Sequence, residues 1–89
     1  RSMNQNRYYW GVVIQLFADR CGYERHELHE ALKWKFLRVE PEGRLATVKS
    51  TADLDTTEFT IYIDQCIRLA AEMGVVIPDA ATVTDAIHD

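Results

Sequence analysis

Residues 3–22, MNQNRYYWGVVIQLFADRCG, decide the fold, because they combine helical spacing with a clear helix end. The apolar side chains recur at intervals of three and four residues, at Trp10, Val13, Ile14, Phe17 and Cys21. Gly22 follows, at the position where a helix favours left-handed backbone. Ser2 and Gln5 have the spacing of a capping box at the other end. The stretch therefore predicts a first helix from Met3 to Cys21.

The start of this helix is rich in hydrogen-bond donors and aromatic rings. Gln5, Arg7, Tyr8 and Tyr9 cannot all face a core once the helix begins at Met3, since neighbouring residues point in different directions. We therefore expect amides, a cation and aromatic rings near the surface of a rigid element. Such a surface suits binding of nucleic acid or of a peptide.

Size and composition limit the classes of protein that this chain can belong to. The 89 residues, 47% of them hydrophobic, indicate one small domain. No run approaches the ~20 apolar residues of a membrane-spanning helix, so no membrane span is expected. Cys21 and Cys66 lie in predicted helices and no signal-peptide pattern occurs, which predicts reduced, buried thiols and a cytoplasmic protein.

The net charge of −4 conceals two unlike halves. Residues 1–52 carry nine basic and six acidic side chains (+3), whereas residues 53–89 carry one and eight (−7). The clustered bases are Lys33, Lys35, Arg38, Arg44 and Lys49. They form either an ordinary solvated face or a binding stripe. The overall acidity argues against an indiscriminate nucleic-acid binder, which would be basic throughout.

The remaining elements predict a mainly α (α+β) fold, with three helices and a short β-hairpin between helices two and three. Helix two spans about 24–36, with Leu28 and Leu32 on its buried side. Alternating residues around a Pro-Gly turn predict the hairpin at about 37–49. Asp55 and Glu58 predict the cap of helix three, which ends at Gly74. Residues 1–79 form the domain, and the order of the tail 80–89 stays open.

The residues of types that act in catalysis do not have the spacing of a catalytic or metal-binding motif. His26 and His29 are three apart, whereas the zinc-protease motif needs histidines four apart, so they are predicted to be helix-surface residues. His29 borders the apolar side and would then have a hydrogen-bond partner. No phosphate-binding glycine loop or activated nucleophile stands out. The prediction is a protein without enzymatic activity or cofactor, and a small metal-dependent nuclease using His26, His29 and Glu30 is kept as an alternative.

Tyr8, Tyr9 and Trp34 are the aromatic residues whose positions are hardest to predict. Trp10, Phe17, Phe36 and Phe59 fall on apolar stripes and are predicted core residues. Trp34, in contrast, lies between Lys33 and Lys35. A ring beside cations can stack on a base or receive an apolar side chain of an acidic peptide. The alternative is a ring lying flat over the hairpin.

Two separated groups of residues resemble one family. The pattern Arg1-Ser2, two residues, Gln5-Asn6-Arg7, two residues, Trp10 is followed much later by Ser50-Thr51 ahead of the helix with Glu58-Phe59. This arrangement resembles the C-terminal part of the phage NinB (Orf) recombination proteins, over most of residues 1–77. The resemblance implies a non-enzymatic recombination mediator that binds DNA and the host single-strand-binding protein and that dimerises. It also implies that Gln5, Arg7 and Trp10 belong to the functional surface.

The predicted function is that of a phage recombination or replication accessory protein in the host cytoplasm. Its partners would be single-stranded or junction DNA, a single-strand-binding protein, or both. The predicted contact residues are Gln5, Asn6, Arg7, Trp10, Lys33, Trp34, Lys35, Arg38 and Lys49. The alternative from a different class is a protein-only interaction or inhibitor module that uses the acidic C-terminal half.

Overall fold

The computed structural model describes residues 3–79, and its first element is one long helical rod. The rod consists of α1 (Met3–Tyr8), a π-helical segment (Tyr9–Ile14) and α2 (Gln15–Cys21), which together are called the leading helix. Tyr8 and Ile14 keep right-handed helical backbone angles at the junctions, so the rod is continuous. Gly22 ends it with φ of 78°. This confirms the predicted first helix, whereas Arg1 and the predicted Ser2 cap lie outside the described residues.

Helix α3 (Arg25–Phe36) follows after a short turn. Glu24 caps it: the Glu27 backbone N–H donates to the Glu24 carboxylate at 3.1 Å, and the Glu24 N–H donates back to the Glu27 carboxylate at 3.4 Å. This reciprocal capping box satisfies two backbone donors that a helix start otherwise leaves without partners. The predicted second helix is thus confirmed within one residue.

The predicted hairpin is confirmed and is very short. Strand β1 (Arg38–Val39) pairs antiparallel with β2 (Thr47–Val48), and Arg38 lies opposite Val48. Gly43 adopts φ of 72° in the connecting turn. So small a pair is marginal by itself, and its position depends on its attachment to the end of α3.

A 3₁₀ turn (Thr51–Asp53) leads into α4 (Thr56–Glu72). The predicted capping box is present: the Glu58 N–H donates to the Asp55 carboxylate at 2.8 Å and the Asp55 N–H to the Glu58 carboxylate at 3.0 Å. Gly74 ends the helix with φ of 83°, as predicted. Beyond it the chain returns to the leading helix, where the Tyr8 hydroxyl donates to the Pro78 carbonyl at 2.7 Å.

The core lies where the leading helix, α3 and α4 meet. Its largest fully buried side chains are Tyr9, Tyr62, Phe17, Phe59, Ile14, Leu32, Val13 and Cys66. Trp10 and Phe36, predicted as core, are partly buried against it. Cys21 is only half-buried because it occupies the last turn of its helix, and both cysteines are free thiols. Within residues 3–79 no helix is long and apolar enough to cross a membrane.

Tyr9 corrects the expectation that the rings at the helix start stay near the surface. Its side chain is 0% exposed, whereas its neighbour Tyr8 is half-buried. Tyr9 lies four and eight residues before Val13 and Phe17, so it continues one buried ridge of the leading helix. That spacing was a usable signal in the sequence.

Candidate binding surface

The predicted contact residues occupy three places in the structure. Gln5, Asn6, Arg7 and Trp10 lie on the leading helix, Lys33, Trp34 and Lys35 on α3, and Arg38 and Lys49 at the hairpin. Each place has a different local environment.

The first turns of the leading helix attach it to α4. The Gln5 Nε2 group donates to the Thr60 hydroxyl at 2.7 Å and to the Thr56 carbonyl at 3.2 Å. Both amide hydrogens of Gln5 are thus engaged within the chain. Asn6 is half-buried, and Arg7 is the exposed cation of this group.

Trp10 joins the leading helix to the start of α3. Its ring centroid lies 4.5 Å from that of His29 and 5.7 Å from that of His26. The Arg25 guanidinium lies 5.8 Å from the Trp10 ring and donates to the Trp10 carbonyl at 3.0 Å. Trp10, Glu24, Arg25 and His26 line a shallow cleft of about 290 Å³ there. Half-buried Trp10 therefore contributes mainly to helix packing and only partly to the surface.

Beneath Trp10, three polar side chains share hydrogen bonds inside the core. The Tyr9 hydroxyl lies 2.6 Å from His29 Nδ1 and 2.8 Å from the Tyr62 hydroxyl. Each of the three main helices contributes one member, so the bonds connect all of them. The prediction that His29 would have a hydrogen-bond partner is confirmed, although it is a buried residue and not a surface one. Sequence reasoning missed Tyr62, which lies three residues after Phe59 and four before Cys66 on the buried stripe of α4.

Burial shifts the titration of all three groups, and of the Cys66 thiol next to Tyr62, toward the neutral form. It raises the pKa of the Tyr9 and Tyr62 hydroxyls far above their ordinary value and that of the Cys66 thiol to about 12. Burial, helped by the Lys33 charge, lowers the pKa of His29. The cluster is therefore uncharged at neutral pH, and the Cys66 thiol is not an activated nucleophile.

Two of the cations predicted as contacts have acidic neighbours. The Lys33 ammonium lies 3.0 Å from the Glu30 carboxylate, and Arg38 Nε lies 3.0 Å from that of Glu40. The Arg38 guanidinium also lies 5.1 Å from the Trp34 ring centroid. Trp34 remains 49% exposed. Arg38 thus covers part of the ring, and the rest is open for contact.

Arg38 and Lys49 come together at a groove between the hairpin and α4. This hairpin groove, of about 350 Å³, is lined by Phe36, Leu37, Arg38, Val39, Lys49, Leu54, Glu58, Ile61, Tyr62 and Gln65. Ile61 is 56% exposed and Val39 41% exposed. The structure therefore places two cations beside exposed apolar side chains, whereas Lys35 lines a different groove on α3.

The histidines of α3 do not converge on a metal site. His29 is bonded to Tyr9, and the Glu30 carboxylate is paired with Lys33. In the part of the chain that the structure describes, no group of three or more His, Cys, Asp or Glu side chains is arranged to hold a metal ion. His88, the third histidine, lies outside that part. The nuclease alternative thus has no ligand set among residues 3–79.

Comparison of the chain with protein-family models, curated proteins and solved structures gives no match. The function of the chain must therefore be inferred from the geometry of this surface and from the residues that resemble the NinB (Orf) pattern.

Tyr9→Phe should destabilise the fold by about 1–3 kcal/mol, because His29 and Tyr62 would each lose a buried hydrogen-bond partner. Urea unfolding followed by circular dichroism measures the change. Tyr23→Phe removes the hydroxyl of a half-exposed tyrosine and is the matched control, expected within about 0.5 kcal/mol of the parent. Equal changes in the free energy of unfolding for the two variants would mean that the buried hydrogen bonds of Tyr9 do not stabilise the fold.

Stability should fall as the pH drops below about 6.5, the ordinary pKa of histidine, because the unfolded chain then takes up a proton that buried His29 resists. The loss continues until the pH reaches the lowered pKa of folded His29. Urea unfolding from pH 7.5 downward measures it. His29→Gln should remove this part of the pH dependence, whereas His26→Gln should retain it; an unchanged slope in His29→Gln would contradict the assignment.

Proposed function

We propose that this protein is a non-enzymatic accessory module of phage DNA recombination or replication, acting in the host cytoplasm. Its working surface is the hairpin groove with the adjoining ring of Trp34. Its main partner is an acidic protein segment that ends in apolar residues, such as the tail of a single-strand-binding protein. The observation that carries the proposal is the placement of Arg38 and Lys49 beside exposed Val39 and Ile61.

The chemistry of the groove fits such a segment. An apolar terminal side chain would cover Val39 and Ile61, which now face water, while carboxylates approach the cations at the rim. Glu58 is the acid in the lining and is engaged in the cap of α4. The Asp55 N–H and the positive end of the α4 dipole offset part of the negative charge of Glu58. The groove therefore attracts anions through Arg38 and Lys49.

The existing Arg38–Glu40 pair does not prevent this use. Its side chains are 43% and 63% exposed, so the pair contributes only about 0–1 kcal/mol. An incoming carboxylate can replace Glu40 at small cost. Burial of an apolar side chain in the same event supplies the larger gain.

DNA is a second candidate partner, favoured by the stack of Arg38 on Trp34. A base can lie on the uncovered part of the ring while exposed Arg7 and Lys49 contact phosphates. The pairing of Lys33 and Arg38 with glutamates reduces the charge available to phosphates. We therefore propose the acidic protein segment as the main partner and DNA as the second candidate.

Lys49→Ala should weaken binding of a labelled acidic peptide with an apolar C-terminus by about three- to tenfold, since one charge pair is lost. Ile61→Ser should weaken it similarly by removing apolar contact. Fluorescence anisotropy measures the dissociation constant. Arg20→Ala, which removes an exposed cation of α2 away from the groove, is the control and should bind as the parent does. Equal losses of affinity in Lys49→Ala and Arg20→Ala would mean that the peptide binds by nonspecific electrostatic attraction. That result would reject the hairpin groove as the binding site.

Binding of single-stranded oligonucleotide should fall steeply between low and physiological salt if DNA is a partner, because phosphate contacts release counterions. Arg7→Ala should reduce the salt dependence of the affinity, because one phosphate contact is lost. Trp34→Ala should weaken binding but leave the salt dependence unchanged. Anisotropy titrations at two salt concentrations give both quantities. Absence of salt-sensitive oligonucleotide binding, with peptide binding retained, would reject DNA and leave the acidic protein segment as the partner. Absence of both would favour the protein-only module that uses the acidic C-terminal half.

A further inference from the structure

The last described residues lie beside the start of the leading helix. The Pro78 carbonyl accepts a hydrogen bond from the Tyr8 hydroxyl at 2.7 Å. Gln5, one helical turn before Tyr8, donates to the Thr60 hydroxyl at 2.7 Å. Thr60 is the neighbour of Ile61, whose side chain lines the hairpin groove. The chain therefore leaves the described part near the first turns of α4, the helix that forms one wall of the groove.

Residues 80–89, called the 80–89 segment, are long enough to reach the hairpin groove from there. Ten residues of extended chain span up to about 33 Å. One turn of the leading helix rises about 5.4 Å, and a helix such as α4 is about 10–12 Å across with its side chains. The segment can therefore pass around α4 and still bring several of its residues to the groove.

The 80–89 segment, which lies outside the described residues, combines acidic and apolar side chains. It reads AATVTDAIHD and contains no Lys or Arg. Its large apolar residues, Val83 and Ile87, alternate with its acids, Asp85 and Asp89, at every second position. An extended backbone directs such alternate side chains to one side. The segment thus carries the two kinds of side chain that the hairpin groove is proposed to bind.

We propose that the 80–89 segment occupies the hairpin groove of its own chain and competes there with the acidic segment of the partner. Its apolar side chains would cover exposed Val39 and Ile61, and its two aspartates would approach Arg38 and Lys49. This inference rests on the proposed function, since both use the same groove. It adds an autoinhibitory contact that a partner must displace before it binds.

A contact within one chain requires little intrinsic affinity. A short linker gives an attached segment an effective concentration in the millimolar range, so even a weakly bound segment fills its site much of the time. The apparent affinity for a partner falls in proportion to the fraction of chains whose groove is open. A segment that fills the groove in about two thirds to nine tenths of the chains therefore weakens partner binding about three- to tenfold.

Methyl NMR spectra of the 89-residue chain test the contact directly. In the double variant Val83→Ser/Ile87→Ser, the methyl signals of Val39 and Ile61 should shift, because the apolar contact is lost. Leu45 lies in the connection between β1 and β2, is 89% exposed and does not line the groove, so its methyl signals should stay unchanged. A free peptide with the sequence of the 80–89 segment, added to the double variant, should return the shifted signals toward those of the parent.

The double variant should also bind the labelled acidic peptide about three- to tenfold more tightly than the parent, because its groove is open in more of the chains. Fluorescence anisotropy measures the dissociation constant. Thr82→Ser/Thr84→Ser is the matched control, since it makes two substitutions in the same segment and keeps the apolar and acidic side chains. It should leave both the methyl signals and the peptide affinity as they are in the parent.

The two measurements separate this inference from the proposed function. If the labelled peptide binds neither the parent nor the double variant, the proposed partner is rejected, and the methyl signals of Val39 and Ile61 still report whether the segment occupies the groove. If the peptide binds both chains with equal affinity and these signals do not move, the partner stands and the autoinhibitory contact is rejected.

Two further outcomes would overturn the contact. One is a shift of the Leu28 and Leu69 methyl signals in place of those of Val39 and Ile61, which would assign the segment to the other groove, on α3. The other is a difference between parent and double variant that disappears on dilution, which would mean that the segment binds the groove of another copy.

Discussion

The hydroxyl of Tyr9 links the three main helices at the point where they meet and fixes their relative rotation. It bonds to His29 on α3 and to Tyr62 on α4, at 2.6 and 2.8 Å. Buried polar groups are costly unless they have partners, so each helix must keep the rotation that brings its member to this point. That rotation directs Trp10 toward the start of α3 and Gln5 toward α4. The apolar core packs the leading helix, and this cluster selects the rotation in which it packs.

Helix α3 connects this cluster to the hairpin groove. Its inner side supplies His29 to the core, and its last residue, Phe36, lines the groove together with Leu37 and Arg38, which follow it. The position of the groove therefore depends on the same helix that the buried hydrogen bonds hold in place.

The pairing of two cations with glutamates is the reason why the proposed function ranks an acidic protein segment before DNA. In the sequence, Lys33 and Arg38 belong to the basic stripe. In the structure, each of them lies 3.0 Å from a glutamate carboxylate. The Arg38–Glu40 pair is exposed on both sides, and such a pair is weak and exchangeable, so it suits a partner that brings its own carboxylates together with apolar groups. A phosphate backbone, which depends on net positive charge, gains less from the same surface.

The sequence by itself determined the local features. Gly22 and Gly74 end helices because they favour positive φ, Asp55 and Glu58 cap α4, and alternating residues around Pro41 and Gly43 form the hairpin, all through contacts between near neighbours. Tertiary structure alone decided which distant residues meet. The bonds of Tyr9 to His29 and Tyr62 join residues 20 and 53 positions apart, and the hairpin groove brings Arg38 and Lys49 to Ile61 of α4. Periodicity shows which side of a helix is buried, but not which side chain of another helix it will contact, because that depends on how the helices pack.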